Sequence, residues 1–136
     1  MQKRSPSLKY HPDEIEVSVG GGVDAGEQPK QAAAREVKEE LGISIEPSQL
    51  YFIGKTKFNH STKTQINRNF IYSYSICLPA DKLTLRANPE ENSLVFLMSE
   101  KRLRIALRQH RVLNIGKITS TYAYWKYLLD STPQLR

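Results

Sequence analysis

The segment from Gly21 to Ile43 constrains this chain more than any other part of its sequence. It reads GGVDAGEQPKQAAAREVKEELGI, and its second half is rich in Ala, Glu, Lys, Gln and Arg, which are good helix formers. We therefore predict a helix over Lys30–Leu41. Pro29 lies near its start, where a missing N–H costs little, and Gly42 provides a C-terminal stop. The helix is thus entered from a glycine-rich loop.

Three acidic residues of this helix share one face. Glu36, Glu39 and Glu40 have the spacing i, i+3 and i+4, which brings their side chains close together. Such a cluster repels itself unless a cation lies among the carboxylates, and carboxylate oxygens suit a hard ion such as Mg²⁺ or Mn²⁺. Taken alone, this spacing is usually a solvated helix face, and a glycine cluster alone is usually a turn. The two in this order are far less common by chance, so the segment predicts a divalent-cation site.

The same segment resembles the Nudix box, G-x5-E-x7-R-E-U-x-E-E-x-G-U, in which U is a bulky aliphatic residue. Every fixed position is filled, by Gly21, Glu27, Arg35, Glu36, Val37, Glu39, Glu40, Gly42 and Ile43. The resemblance implies an α/β fold, a Nudix-type α/β/α sandwich with a central mixed sheet, formed by one domain over residues 1–136. It also implies hydrolysis of a nucleoside diphosphate linked to another moiety, or of a related small diphosphate.

The resemblance also implies roles for individual residues. The metal ligands would be Glu36, Glu39 and Glu40, with the carbonyl of Gly21 as a further ligand, while Glu27 and Arg35 would hold the loop and the helix together. Metal-bound water is a better nucleophile than free water, and a carboxylate can take its proton. That base would be one of the three box acids or Glu91, which precedes a strand and a serine as in the family. The neighbouring Glu90 is an alternative.

The residues before the box, from Gln2 to Glu27, look like the Nudix branch that contains isopentenyl-diphosphate isomerase and its hydrolase relatives. The isomerase uses a cysteine before the box, whereas the single cysteine here, Cys77, follows it, which argues against isomerisation. Arg4 and Lys9 are candidates for contacting substrate phosphates.

Relatives of this kind usually have a strand before the residues that match Gln2–Ser5. We therefore expect the N-terminal strand to be shortened or missing. A missing strand leaves an exposed sheet edge, which tends to pair with another molecule, and on this ground we expect a homodimer.

The rest of the chain alternates strand and helix patterns, which predicts a mixed α/β domain. Ser99 is a candidate helix cap. The predicted strands are Glu14–Val19, Leu50–Phe58, Asn67–Leu78 and Leu94–Met98, and the further helices are Glu100 to about His110 and Thr119–Asp130.

The substrate pocket is poorly specified by the sequence. Alternate positions of a strand face the core, so most members of the second long strand are expected there. Arg68 and Tyr72 are kept as candidates for substrate binding. The wider set that could stack a base or hold phosphates is Phe58, His60, Arg68, Phe70, Tyr72 and Tyr74.

Composition limits the remaining possibilities. A lone cysteine cannot form an intrachain disulfide, which favours a reducing cytoplasm, and there is no apolar run of the length that a membrane span needs and no secretory signal pattern. The formal net charge of +6 suits an anionic ligand or a solvated basic surface. We expect a small diphosphate as partner and disfavour nucleic acid. Two alternatives stay open: a non-catalytic Nudix-fold module that binds a nucleotide or RNA, and an isomerase-like enzyme acting on prenyl diphosphates.

Overall fold

The glycine-rich loop leads into a long helix, which contacts a 3-10 turn and one strand of a long hairpin. The computed structural model describes residues 1–17, 19–61, 66–79, 87–108 and 122–131. The elements in chain order are β1 (Gln2–Arg4), β2 (Ile15–Glu16), α1 (Pro29–Leu41), a 3-10 turn (Pro47–Gln49), β3 (Tyr51–Ser61), β4 (Ile66–Ser75), β5 (Asn92–Val95), α2 (Glu100–Arg108) and α3 (Tyr122–Ser131).

Helix α1 has the ends that its sequence predicts. Pro29 occupies its first turn, and Gln28 caps the start by exchanging hydrogen bonds with Gln31. Gly42 ends the helix with a left-handed backbone (φ 69°), and its N–H donates to the Lys38 carbonyl at 3.0 Å. Glycine adopts this conformation without the steric penalty of a Cβ.

The described strands form two antiparallel sheets. Three strands lie in the order β2-β1-β5, and β3 pairs with β4 as a long hairpin. The family resemblance implies a central mixed sheet, but the described strands show only antiparallel pairs. Strand β1 is short and lies at the centre of its sheet, with a strand on each side. The open edge expected at the N-terminal strand is therefore not at β1.

Several strand boundaries differ from the prediction. Of the residues of Glu14–Val19 that the structure describes, Ile15–Glu16 form the strand, and these two pair with β1. Strand β5 begins two residues before the predicted Leu94 and ends at Val95, and β4 ends at Ser75 instead of Leu78. Of the predicted helix to His110, α2 accounts for the part up to Arg108; His110 and Thr119 lie outside the described residues.

Helices α2 and α3 supply much of the core. Leu103 and Leu107 of α2 pack with Trp125 of α3, and Met98 and Val17 lie against this cluster. Ser99 caps α2 as predicted, since its Oγ accepts a hydrogen bond from the Arg102 N–H at 3.3 Å. None of the described helices is long and apolar enough to span a membrane.

Candidate active site

The loop before α1 folds back on itself in a tight turn. The Glu27 N–H donates to the Asp24 carbonyl at 3.0 Å, and the Asp24 N–H donates to the Glu27 carboxylate at 3.1 Å. Gly26 lies within the turn with a positive φ of 85°, a backbone conformation that favours glycine. The turn therefore fixes Glu27 at the entrance to the helix.

Arg35 joins this loop to α1. Its guanidinium grips both oxygens of Glu27, with Nε–Oε1 and Nη2–Oε2 distances of 3.1 Å each. Nη2 also donates to the Gly22 carbonyl at 2.9 Å. The hydrogen bond from Arg35, together with the Asp24 N–H, holds the pKa of Glu27 below its usual value. A two-pronged contact of this kind fixes orientation as well as charge.

The same guanidinium also bridges two of the three acidic residues of the box, Glu36 and Glu39. Arg35 Nη1 lies 2.8 Å from Glu36 Oε1 and 3.0 Å from Glu39 Oε2. The side chain of Glu36 is mostly buried, whereas that of Glu39 is 55% exposed. One cationic group thus offsets the repulsion between neighbouring carboxylates, as their spacing on the helix requires.

Gly21 lies directly against the carboxylate of Glu36. A Cβ built on Gly21 would overlap the Glu36 carboxylate atoms, whereas a Cβ on Gly20, Gly22 or Gly26 would meet nothing within 4 Å. A side chain at Gly21 would therefore require the Glu36 carboxylate to move. The backbone of Gly21 forms one wall of the cradle around the acid.

Glu40 is the buried member of the trio, with 5% of its surface exposed. Its Oε1 accepts a hydrogen bond from the Gly20 N–H at 3.1 Å, while its Oε2 is buried and accepts none from any described residue. Burial raises the pKa of Glu40 to about 7, and the Gly20 amide and the Gln2 carboxamide oppose part of that rise. A buried oxygen without a partner is costly, so it indicates a position built for something else.

A chain of buried polar groups lies beside Glu40. Gln2 donates to Glu16 Oε1 at 3.0 Å and accepts from Asn92 Nδ2 at 3.1 Å, and Asn92 Oδ1 accepts the Asn88 N–H at 3.1 Å. Asn92 is fully buried and Gln2 nearly so. Arg4 Nη1 reaches Glu16 at 2.7 Å. These residues connect β1, β2 and β5 beneath the box helix.

Sequence reasoning did not find this chain of buried groups. Glu16 lies in the predicted strand Glu14–Val19 without any motif of its own, and Asn92 carries no motif either. The only signal was the inclusion of Gln2 in the resemblance upstream of the box. Two members of this chain of buried groups, Gln2 and Asn92, are 90 residues apart in the sequence.

Three other predicted site residues lie outside the box, and two of them are exposed. Arg4 is engaged with Glu16, and its Nε also donates to the Tyr10 carbonyl at 3.2 Å. Lys9 is exposed, with its Nζ 5.3 Å from the Tyr10 ring. The Glu91 side chain is exposed just before β5, and its carbonyl accepts the Ser5 N–H at 3.0 Å.

The two substrate-binding candidates on β4 lie apart from these contacts. Arg68 is exposed and pairs with Asn59, and Tyr72 is half-buried opposite Lys55, with the lysine Nζ 5.0 Å from its ring. Thus the structure brings together the box residues, and in the described part of the chain it shows no hydrogen bond or ion pair between them and Arg68 or Tyr72.

The donor set at α1 fits a hard divalent cation. It combines the cradled carboxylate of Glu36 with the unpartnered buried oxygen of Glu40, and Glu39 lies one turn away on the same face. Among the described residues, no three acidic, histidine or cysteine side chains already converge on one point. Arg35 draws Glu36 and Glu39 towards itself, and the Gly20 amide holds Glu40. An ion binding here would therefore compete with Arg35 for the carboxylates.

The sequence matches the family model of the NUDIX domain over residues 1–115. That match covers most of the chain, box included. The chain belongs to the Nudix family.

Individual relatives agree with this assignment. An uncharacterized Nudix hydrolase of Clostridium acetobutylicum is 37% identical over 87 residues, which is 62% of this chain and 42% of the relative. An 8-oxo-dGTP diphosphatase of Haemophilus influenzae is 43% identical over 53 residues, 39% of this chain and 36% of the relative. The chain spans less than half the length of these curated relatives.

A solved structure supports the fold. The crystal structure of DR0079 from Deinococcus radiodurans superposes with a TM-score of 0.61 at 25% sequence identity, covering 91% of this chain and 69% of the other. The Nudix α/β fold predicted from the box is confirmed by this likeness.

Proposed function

We propose that this protein is a divalent-cation-dependent hydrolase that cleaves a diphosphate linkage in a nucleoside diphosphate linked to another moiety, or in a related small diphosphate. The observation that carries the proposal is Glu40, whose buried oxygen has no partner in the described structure and whose helix face also carries Glu36 and Glu39. The name of the Haemophilus relative, a diphosphatase, supports the same reaction class.

Charge explains why a cation is needed. Among the residues that the structure describes, Arg35 is the one cation paired with the three carboxylates of this helix face, and it contacts two of them. A diphosphate adds further negative charge at the same place. A Mg²⁺ or Mn²⁺ ion held by Glu36, Glu39 and Glu40, with the Gly21 carbonyl as a further ligand, would offset both charges.

When bound, the ion supplies positive charge to the phosphate oxygens and lowers the pKa of an attacking water. The protein contributes position: Arg35 anchors the loop through Glu27, and Gly21 leaves room for the Glu36 carboxylate. A carboxylate then takes the proton of the water. Glu39, the exposed box acid, and Glu91, the exposed acid just before β5, are the candidates for this base.

The alternatives have weaker support. A module that only binds nucleotide or RNA has no use for a buried carboxylate that opposes folding. An isomerase of the prenyl-diphosphate branch needs a cysteine before the box, whereas Cys77 follows β4 and is free and exposed. A free thiol accords with a reducing compartment such as the cytoplasm. Homodimer formation stays a prediction.

An activity panel tests the proposal. Purified protein is incubated with nucleoside triphosphates, nucleotide sugars, dinucleotides and prenyl diphosphates, each with Mg²⁺, Mn²⁺ or EDTA. We expect release of a phosphorylated product from at least one substrate, only when metal is present, and a loss of at least about tenfold in Glu39→Gln. Lys38→Gln, a neighbouring charge change on the same helix, is the matched control and should retain activity.

Three results would count against this function. Failure of every substrate with both metals would favour a binding module, isomerised product without hydrolysis would favour the prenyl branch, and full activity of Glu39→Gln would remove that residue from the metal site. Calorimetric titration of Mn²⁺ into wild type and Glu39→Gln separates loss of metal binding from loss of chemistry.

A further inference from the structure

The β3–β4 hairpin is strongly basic. The sequence from Tyr51 to Ser75 contains four cationic residues, Lys55, Lys57, Lys63 and Arg68, and no acid. The net charge of the whole chain is +6, so much of it is concentrated in this short stretch. Concentrated positive charge attracts anionic partners.

The pairing register places basic and aromatic residues on one face of the hairpin. Opposed residues of an antiparallel pair share a face, and the register opposes Lys55 to Tyr72, Lys57 to Phe70 and Phe52 to Tyr74. The irregularity between Phe52 and Gly54 keeps Phe52 on the same face as Lys55. We call this surface the hairpin face; its members are Phe52, Lys55, Lys57, Arg68, Phe70, Tyr72 and Tyr74.

Two aromatic rings of the hairpin face are exposed, two are half-buried, and a lysine lies over two of the four. Phe52 and Phe70 are 58% and 59% exposed. The Lys55 Nζ lies 4.0 Å from the Phe70 ring centroid and 5.0 Å from that of Tyr72, and the rings of Phe52 and Tyr74 are 5.5 Å apart. Clustered exposed aromatic rings are uncommon on a monomer and mark interaction surfaces.

The opposite face of the hairpin is covered by α3 near Gly54, whereas Phe58, farther along that face, is 43% exposed. Gly54 lies against the Tyr127 side chain of α3, and Ser73, paired with Gly54, is buried. At the end of the hairpin that holds Phe52, Lys55 and Tyr72, the hairpin face is therefore the side that α3 leaves uncovered.

Charge and shape select the class of partner. Lysine and arginine contact phosphates, and exposed aromatic rings stack on nucleobases without regard to sequence. A phosphate drawn to Lys55 would bring its attached base beside Phe70 and Tyr72. We propose that the hairpin face binds single-stranded nucleic acid. This binding is separate from the hydrolase chemistry of α1, and it revises the expectation from the sequence that nucleic acid is not a partner.

Other occupants fit less well. If a second copy of the chain docked on this face, its Lys55, Lys57 and Arg68 would face the same three cations of the first copy. These like charges would repel each other. A single small diphosphate is usually enclosed by a concave pocket that buries most of its surface, whereas this sheet face is open. An extended, polyanionic strand with exposed bases matches both properties.

Fluorescence anisotropy with labelled single-stranded oligouridylate and oligothymidylate tests the proposal and tells RNA from DNA. We expect binding of at least one strand that weakens as salt is raised. Phe70→Ala should weaken it roughly fivefold or more, as loss of one stacked base does, and Phe70→Tyr should retain it. Lys55→Gln with Lys57→Gln should reduce the slope of log affinity against log salt by on the order of one.

Helix α2 offers matched controls. Lys101→Gln with Arg102→Gln removes the same charge from exposed positions away from the hairpin, and Ile105→Ala removes a side chain that is 47% exposed. These variants should bind as wild type does. Thermal unfolding and Mn²⁺ titration check that every variant is folded and that its box is intact, so this test is independent of the proposed hydrolase.

The proposal is overturned if wild type binds neither oligonucleotide, or if the α2 controls lose as much affinity as the hairpin variants. It is also overturned if sedimentation shows a dimer that Phe70→Ala converts to monomer, because a second copy would then cover the hairpin face.

Discussion

A single guanidinium organises the residues of the candidate active site. Arg35 contacts Glu27, Glu36 and Glu39 but not Glu40. Its positive charge therefore reduces the repulsion between carboxylates that the helix places side by side. Glu40 is stabilised differently, by a backbone amide and by burial that favours its protonated form. The three acids of one motif therefore have three environments, and their substitution should have different consequences.

Gly21→Ala tests the cradle around Glu36. Its methyl group would overlap the Glu36 carboxylate, which must then move away from Arg35. We expect hydrolysis and Mn²⁺ affinity to fall at least about tenfold, since small displacements of ligands are costly in catalysis. Gly22→Ala is the matched control, because its Cβ meets nothing within 4 Å. Equal activity of the two variants would show that the cradle is dispensable.

Glu40→Gln should separate stability from function. The folded-state pKa of Glu40 is raised from 4.5 to about 7, so the stabilisation from its protonated form is complete below pH 4.5 and is lost as pH rises to about 7. The amide cannot ionise, yet its oxygen can still accept the Gly20 N–H.

In metal-free protein at pH 8, Glu40→Gln should therefore be more stable than wild type, by on the order of 1–3 kcal/mol. At pH 4 this advantage should disappear. Urea unfolding at both pH values in EDTA measures the difference. The same pH dependence in wild type and variant would show that Glu40 is not the group responsible.

At the scale of elements, local signals predicted α1 well and the strands less well. The boundaries of α1 depend on Pro29 and Gly42, which act within one turn, and the box motif identified the residues around it. Strand boundaries depend on a partner: the two residues of β2, Ile15–Glu16, are those that pair with β1. The hydrogen bond between Gln2 and Asn92 joins residues that are 90 apart in the sequence, and no local sequence pattern predicts it.

Gly54 shows how a strand and a helix are fitted to each other. A Cβ at Gly54 would overlap the hydroxyl end of Tyr127, whose O–H donates to the Ile53 carbonyl at 3.3 Å. Gly54→Ala should therefore destabilise the protein by about 1–3 kcal/mol, the usual range for overpacking.

Tyr127→Phe removes the hydroxyl group that the new methyl group would meet. It should cost about 1 kcal/mol alone, but it should recover part of the loss when combined with Gly54→Ala. Denaturant unfolding of the two single variants and the double variant gives the coupling energy. Additive effects would show that α3 does not press on the hairpin at this point.

At the scale of the whole molecule, Glu40 stands where three distant parts of the chain meet. The glycine loop supplies the Gly20 amide, β1 supplies the Gln2 carboxamide, and Asn92 of β5 holds Gln2 in place. Ionisation of the buried Glu40 carboxylate therefore lowers the free energy of unfolding of the whole domain. A bound cation that pairs with the carboxylate would remove that cost, so metal affinity and global stability should be linked.

Mg²⁺ or Mn²⁺ should therefore raise the melting temperature, and more so at pH 8 than at pH 5. Metal at about 100 times its dissociation constant stabilises a protein by roughly 2.7 kcal/mol, which is about 8 °C for a domain of this size.

At pH 5 the ion must displace a proton from Glu40, whose pKa is about 7, so its affinity should fall by about 100-fold. Thermal unfolding with and without metal at the two pH values measures both effects, and Ca²⁺ serves as a comparison ion. In the Glu40→Gln variant, the dependence of the metal-induced shift on pH should vanish. An equal shift at both pH values in wild type would mean that the ion binds without Glu40.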